Sequence, residues 1–579
     1  MLLIFIQKMS KIKVVETKPY LDQKMGTSGL RKKVKIYQQP NYIENFVQSV
    51  FNSYQPSDYK GKSLIIGGDG RFYNDVAIQL CIKIGVANGI GKIILAENGL
   101  MSTPAVSLLI RSQPKNECYG AFILTASHNP GGPNDDMGIK FNGDNGAAIP
   151  EGKNLQIFEE SKKIEKYYIL DTEEKYPLDK PSEISVEEDG KIRKIPIEIE
   201  STTKRYVEEM QKLFDFDLIK TLFQRKDFEF VFDALNGISG PYALAIFNEI
   251  FKVPLENLDK CHPLPDFGGI HPDPNLVHAK DLDEKMDVFK KDLNKKVPDF
   301  GAACDGDADR NIIFGPRMLV SPSDSLAVIT NNAEIIKSLS RNGPLKGVAR
   351  SMPTSGAVDR VAKKKNLKCY EVPTGWKFFG NLLDDGRISL CGEESFGTGS
   401  DHIREKDGVW AILCWLSILA QKNKDNKGKL IGIPEIMEEH WKCYGRDYYC
   451  RYDYEDLNNE QAAKVKENLN KNLETFKNMK EGNEALVFEY NDPVDHSVSK
   501  NQGWIYRYKD GSRIIFRFSG TSSTGATVRI YFEKHVEPDG NLLADVADII
   551  KGGENFPELA VKLSDIHNVA NRTGPTVMT

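Results

Sequence analysis

The sequence predicts an α/β protein: three topologically related mixed α/β sheet domains and a C-terminal α+β domain, set around a central cleft. Three observations carry that expectation. A pattern of apolar strand, helix, second strand and polar, glycine-rich loop occurs three times. Each such loop follows a strand, at the edge where open α/β sheets place ligands. The last part of the chain changes texture, with a long polar helix ahead of short strands. The 579 residues suffice for about four domains, and the boundaries read as 1–203, 204–321, 322–438 and 439–579.

In the first repeat, Ser63-Leu64-Ile65-Ile66 reads as a strand ending in Gly67-Gly68-Asp69-Gly70-Arg71. Helical sequence runs to Ala87, and a second strand spans Lys92 to Leu95. Gly61-Lys62-Ser63 looks like the end of a P-loop, but Pro56 stands where the first Gly belongs and the piece precedes its strand. A buried strand, Gly120 to Leu124, then opens into Thr125-Ala126-Ser127-His128-Asn129-Pro130-Gly131-Gly132-Pro133. Proline and glycine force a turn there, which presents Ser127 and His128 on a stiff loop. A hydroxyl beside an imidazole suits an activated nucleophile or a phosphate carrier. It is not a hydrolase elbow, because Thr125 and Asn129 flank Ser127 where G-x-S-x-G needs glycines. Lys140 alternates with apolar neighbours in Gly138 to Gly143, so it can point toward that loop. Upstream, Gly26 to Lys33 sets small hydroxyl residues beside Arg31, Lys32 and Lys33, a mixture that suits an anion; a solvated basic turn fits the same residues. Residues 151–200, rich in Lys and Glu, read as peripheral strands and a solvated connection.

The second repeat opens with a helix from Lys204 to Leu222 and a strand from Phe228 to Phe232. Its later strand, Gly301 to Cys304, leads into Asp305-Gly306-Asp307-Ala308-Asp309. Three carboxylates at alternate positions can turn toward one point, and oxygen-only ligands suit a hard divalent cation, Mg²⁺ first. An EF-hand is excluded, since Arg310 occupies the position of its glycine and Pro316 that of its final glutamate. The third repeat ends in Gly392-Glu393-Glu394-Ser395, which offers acceptors for sugar hydroxyls. Thr374-Gly375-Trp376 can wall a sugar pocket, although Trp376 reads first as packing. His402, Arg404 and Lys406 supply donors and charge nearby in sequence. In the last domain a helix spans Asn458 to Lys480, and strands span Trp504 to Tyr508, Arg513 to Phe518 and Val528 to Phe532. Between them, hydroxyls and glycines lie between Arg517 and Arg529, a candidate phosphate cradle.

A formal net charge of −5 argues against a general nucleic-acid binder but allows a local basic pocket. Met1 to Ile6 is too short for a signal-peptide core. No run of ~18 apolar residues is present to span a membrane. Nine scattered cysteines without C-x-x-C read as reduced cytosolic thiols. A serine on a loop, a Mg²⁺ site, a sugar-type acceptor loop and a separate phosphate loop together fit phosphoryl transfer on a sugar phosphate.

Thr125 to Gly132, Asp305 to Arg310, Cys391 to Gly397 and Arg517 to Thr521 resemble, in order, the motifs of the α-D-phosphohexomutases. The run Gly399 to Gly408 looks like the eukaryotic-type phosphoglucomutases among them. The resemblance implies four domains around a deep cleft. It implies interconversion of glucose 1-phosphate and glucose 6-phosphate through a bound glucose 1,6-bisphosphate. Ser127 would be the phosphoserine, with one Mg²⁺ per chain between its phosphate and Asp305, Asp307 and Asp309. His128, Arg31 and Lys140 would lie beside the transferring group, with Lys140 a general base whose pKa Mg²⁺ and nearby cations lower. Glu393 and Ser395 would bind sugar hydroxyls, and Thr374, Gly375, Arg310 and Lys406 would add substrate contacts. Arg517, Ser519, Gly520, Thr521 and Arg529 would hold the distal phosphate. The partners implied are small sugar phosphates, with no nucleic acid and no membrane span, and the chain a monomer or weak dimer. Asp135 and Ser522 replace glycines usual in the family, and Thr524 a small alanine. The segment before Lys18 lies outside the match, and Met9 is an alternative start. Two rivals stand beside this expectation: a mutase for mannose or N-acetylglucosamine phosphates, and a non-catalytic regulatory protein that keeps the fold.

Overall fold

Ser63–Gly68, Lys92–Leu100 and Cys118–Leu124 pair in parallel, with Ser63–Gly68 in the middle. Ser63–Gly68 and Cys118–Leu124 are buried along their whole length, as parallel strands covered on both faces must be. The strand Asp136–Asn142 adds antiparallel beside the third. In this computed structural model residues 9–26, 29–188, 190–522 and 525–579 are described, the side chains of 520–522 excepted. They fall into two compact units, one of residues 1–317 with 397–429 and one of 318–396 with 430–579.

The second sheet of the first unit repeats the order. Leu258–Asp259, Phe230–Asp233 and Phe300–Cys304 run parallel with the first-formed strand central, and Asn311–Gly315 adds antiparallel to the third. In the second unit Cys369–Val372, Val348–Ser351 and Leu390–Glu393 have the same parallel order. The three chemistry-bearing loops therefore leave equivalent places, each at the end of the third strand of its repeat.

The structure departs from the sequence reading at two places, the peripheral strands expected in 151–200 being present together with a helix, and one strand went unread. Residues 151–200 contain a helix, Glu151–Lys162, and strands Lys166–Leu170, Ser182–Glu188 and Lys191–Glu200. With Ser10–Glu16 these strands extend the first sheet to nine. In Lys191–Glu200 the buried Ile195 and Ile197 alternate with exposed Lys194, Pro196 and Glu198, which mask the apolar pattern. The helix expected over Lys204 to Leu222 is two helices, Lys204–Leu213 and Phe216–Phe223, broken where Asp215 turns its side chain to accept the Leu218 N–H at 3.0 Å. Arg446–Leu457, a twelve-residue strand, was hidden by its many polar residues.

The last domain is an antiparallel sheet in the order Glu484–Asn491, Val498–Arg507, Arg513–Ser522, Gly525–Val536, Arg446–Leu457, Val577–Met578. Val465, Leu469 and Phe476 of helix Asn459–Met479 pack with Tyr506, Phe516 and Ile530 of that sheet. All nine cysteines are free thiols. Among the described residues no helix is long and apolar enough to cross a membrane.

Candidate active site

The Ser127 loop is held by a chain of buried polar contacts. Ser127 has φ +54°, a left-handed conformation that costs energy without fixed partners. Its N–H donates to Thr125 Oγ1 at 2.7 Å, and the Thr125 hydroxyl donates to Asp69 Oδ2 at 2.5 Å. Asp69 pairs with Arg71 at 2.9 Å, and neither side chain is exposed. Arg71 in turn donates to the carbonyl of Ser127 at 2.8 Å and that of Asp136 at 2.8 Å. One buried guanidinium thus ties the loop to the strand returning from it. Gly138 on that strand is required, since a Cβ there would lie 2.2 Å from the Thr125 carbonyl oxygen.

The Asp305 loop meets this one inside the same unit. A Cβ at Gly306 would lie 2.6 Å from the Ser127 carbonyl oxygen, so only glycine allows the approach. The Ser127 hydroxyl donates to Asp305 Oδ2 at 2.9 Å. Asp305, Asp307 and Asp309 are all buried and offer ligand oxygens within 4.8 Å of one another. Lys140 Nζ donates to Asp307 Oδ2 at 3.1 Å and lies 3.8 Å from Asp309. The Thr103 hydroxyl donates to Asp307 at 2.7 Å, and Lys406 Nζ lies 3.3 Å from Asp309. Asp307 Oδ1 and Asp309 Oδ1 nevertheless have no hydrogen-bond partner. Buried carboxylate oxygens without donors, converging with a serine oxygen, suit a hard divalent cation.

Burial, followed by repulsion from Asp307 and Asp309, pushes the Asp305 carboxyl well up. Burial acts the same way on Asp307, but Lys140, Thr103 and Lys406 more than offset it and hold that carboxyl below its usual range. Burial would lower Lys140; Asp307, Asp309 and Glu405 overcome it, and its pKa is raised. With the carboxylates facing it and no cation among them, the ammonium form of Lys140 is favoured; the expected lowering belongs to the site with Mg²⁺ bound. His128 Nδ1 lies 3.2 Å from Ser127 Oγ. Burial, then the cations Arg310, Arg31 and Lys406, hold its pKa well down, so the ring is neutral. Arg31 sits opposite Gly138 in the strand pair, near Asp307, Asp309 and Arg310. The Arg310 side chain pairs with Asp273 at 3.1 Å, and its backbone N–H donates to Asp305 Oδ1 at 2.9 Å.

Ser400, His402 and Asp407 form a hydrogen-bonded row of 2.7 and 3.0 Å. All three side chains are buried, so this triad-like row fixes the loop that carries Lys406. Asp135, a departure from the resembled family, pairs at the loop's rim with Lys33 at 3.6 Å.

The remaining site residues lie in the second unit. Arg517, Arg529 and Asp453 form one cross-strand row, with Arg529 Nε 3.4 Å from Asp453. Arg451 lies 2.9 Å from Asp453 and 3.4 Å from Glu394. Arg451 and Arg529 thus share two carboxylates, and Arg517 stands beside Arg529 across the strand pair. Ser519 stands opposite Thr527 one step along. The side chain of Thr521 and the Cα environment of Gly520 lie outside the described residues, as do Thr27, Ser28, Ser523 and Thr524, and so does the side chain of Ser522. Glu393 is buried and Ser395 half-buried at the end of strand Leu390–Glu393. Thr374 Oγ1 is buried without a partner beside Gly375, whose φ is +135°. Trp376 packs edge-on to Phe379, as expected.

Sequence reasoning missed Asp69, Arg71, Thr103, Glu405, Arg451 and Asp453. A charged pair directly at a strand end, Asp69-Gly70-Arg71, was the signal for the first two. Glu405, whose carboxyl burial pushes up, accepts from Asn142 at 2.9 Å.

The chain matches the models of phosphoglucomutase/phosphomannomutase domain I over residues 22–168, domain II over 204–317 and domain III over 322–444. It also matches the phosphoglucomutase-1 C-terminal domain over 446–576. It is 49% identical to a cytoplasmic phosphoglucomutase of Mesembryanthemum crystallinum, over 98% of this chain and 99% of the relative. It is 50% identical to phosphoglucomutase-1 of Paramecium tetraurelia, with the same coverage. The open-form crystal structure of the Paramecium phosphoprotein pp63/parafusin, a phosphoglucomutase, superposes with a TM-score of 0.92 at 49% identity, covering 99% of this chain and all of that one.

Replacing Asp69 by Ala leaves Arg71 buried without its carboxylate. The expected loss is about 3–5 kcal/mol for that unit, read as a lower urea midpoint, whereas the exposed Asp75→Ala changes it by no more than about 0.5 kcal/mol. Equal midpoints for the two variants would contradict the clamp.

Proposed function

We propose that this chain, which belongs to the phosphoglucomutase/phosphomannomutase family, interconverts α-D-glucose 1-phosphate and glucose 6-phosphate through a phosphoserine at Ser127. The activity is that of a phosphoglucomutase, an isomerase working by intramolecular phosphotransfer. The observation that carries the residue assignment is the Ser127 hydroxyl 2.9 Å from Asp305, beside carboxylate oxygens that lack donors.

In this reading Asp305, Asp307, Asp309 and an oxygen of phosphorylated Ser127 hold Mg²⁺, which when bound neutralises charge on the transferring phosphoryl group. The O6 hydroxyl of glucose 1-phosphate attacks phosphorus, the P–Oγ bond breaks, and the leaving Ser127 oxygen takes a proton from His128, which is charged beside the phosphoserine, so glucose 1,6-bisphosphate forms with free Ser127 and neutral His128. Lys140 takes the O6 proton once Asp307 and Asp309 are engaged and no longer hold its charge. The bisphosphate presents its other end. Ser127 Oγ then attacks the phosphorus on O1, giving its proton to neutral His128. The P–O1 bond breaks, O1 is protonated from Lys140, and glucose 6-phosphate leaves. Arg31 faces the charge that develops on the moving group.

Glu393 and Ser395 accept from and donate to the sugar hydroxyls, and Thr374, Gly375, Arg310 and Lys406 add contacts. Arg517, Ser519, Gly520, Thr521 and Arg529 hold the phosphate that does not react. The cross-strand placement of Arg517 beside Arg529 supports that role. We assign the four functional parts to 1–203, 204–321, 322–438 and 439–579, and the location to the cytoplasm, as in the names of plant relatives. A coupled assay comparing glucose 1-phosphate with mannose 1-phosphate distinguishes the substrate.

Ser127→Ala is expected to abolish turnover of glucose 1-phosphate with an unchanged far-ultraviolet circular dichroism spectrum; retained turnover would remove Ser127 from its role. Asp307→Ala is expected to raise the Mg²⁺ concentration for half-maximal rate by about tenfold or more. A normal metal requirement in that variant would undo the ligand assignment.

A further inference from the structure

A second group of metal-ligating side chains lies in the first unit, on the segment 271–278. His271 Nδ1 and His278 Nε2 stand 2.8 Å apart, with ring planes at 65°. The segment is stiff. Pro272 and Pro274 fix two backbone angles. Asn275 accepts the N–H groups of Val277 and His278 at 2.9 and 3.2 Å, and its own carbonyl accepts that of Ala279 at 2.8 Å. Asp273, two residues on from His271, is pinned by Arg310 and Asn275. Both rings are half-buried and reach solvent. Neither touches the aspartate trio, and the phosphotransfer chemistry uses neither.

We propose that His271 and His278 form a chelating pair for a zinc-type divalent cation, at a site distinct from the Asp305, Asp307 and Asp309 site. Imidazole nitrogens select zinc, copper or nickel over magnesium, so the two sites sort ions by ligand chemistry. Two nitrogens each about 2.1 Å from one tetrahedral ion lie about 3.4 Å apart, and these rings need to part by roughly half an ångström. The proton now shared between them moves to the far nitrogen of one ring, so both facing nitrogens offer lone pairs. Burial holds both rings below the usual histidine pKa, and the neutral form is the ligating one. Asp273 and Asp136 attract a cation there, against repulsion from Arg310 and Lys280; water completes the shell. The site adjoins the catalytic loop. The His271 ring stacks with that of His128 at 6.4 Å, and the Pro272 carbonyl accepts the Gly306 N–H at 3.1 Å.

The test is a Zn²⁺ titration of the full chain, saturated with Mg²⁺, against a chromophoric chelator. One zinc per chain is expected. Its affinity should fall by about tenfold or more in His271→Gln and in His278→Gln and persist in Asp307→Ala and Cys443→Ser. The imidazole C–H proton resonances of both rings in the unsubstituted chain should shift together with zinc, a readout that does not depend on the variants folding. Uptake unchanged in both histidine variants, uptake that follows Asp307 or Cys443 instead, or imidazole resonances that stay in place would overturn the proposal.

Discussion

Three carboxylates buried within 4.8 Å of one another repel, and burial deepens that repulsion because little water screens it. Lys140, Lys406 and Thr103 relieve part of it. Two oxygens still lack donors. A hard cation among the aspartates would relieve the rest, and the Ser127 hydroxyl already lies 2.9 Å from Asp305. The site's chemistry and its electrostatic strain therefore have one source.

Holding that geometry falls to the scaffold. The Asp305 and Ser127 loops leave the ends of equivalent strands in two sheets of one topology, so neighbouring repeats bring them face to face. Glycines at 138 and 306 permit contacts that any side chain would block. The Asp69–Arg71 pair then fixes the Ser127 backbone in a conformation it would not otherwise keep. A duplicated fold supplies the placement, and a few buried polar groups supply the precision.

Much of this was legible in the sequence, because the strands that matter are short, apolar and followed by glycine-rich loops. Cys118–Leu124 and Phe300–Cys304 are buried throughout, and their sequences show it. The alternating aspartates point to a metal site by their chemistry, but a tight turn brings them together, with Ala308 at φ +64° and its N–H donating to the Asp305 carbonyl at 3.0 Å. The extents of strands Ser182–Glu188 and Lys191–Glu200, which lie inside the sheet, were obscured by their charged residues. Arg71 and Thr103 were unreadable for a different cause. Their roles exist only through contacts across 56 residues to Ser127 and 204 to Asp307, and no local pattern encodes a distant partner. The carboxylates that face Lys140 were not readable either, because the sequence gives its neighbours' charges without their distances.

The central claim is that the Ser127 hydroxyl carries the phosphoryl group in the catalytic cycle. Its most direct test is intact-mass measurement of the chain after incubation with glucose 1,6-bisphosphate, followed by peptide mapping of the product. The account predicts one phosphoryl group per chain, located on the peptide that holds Ser127 and lost again on addition of excess glucose 1-phosphate. A phosphoryl group on any other residue, or none on a chain that still turns over its substrate, would contradict it.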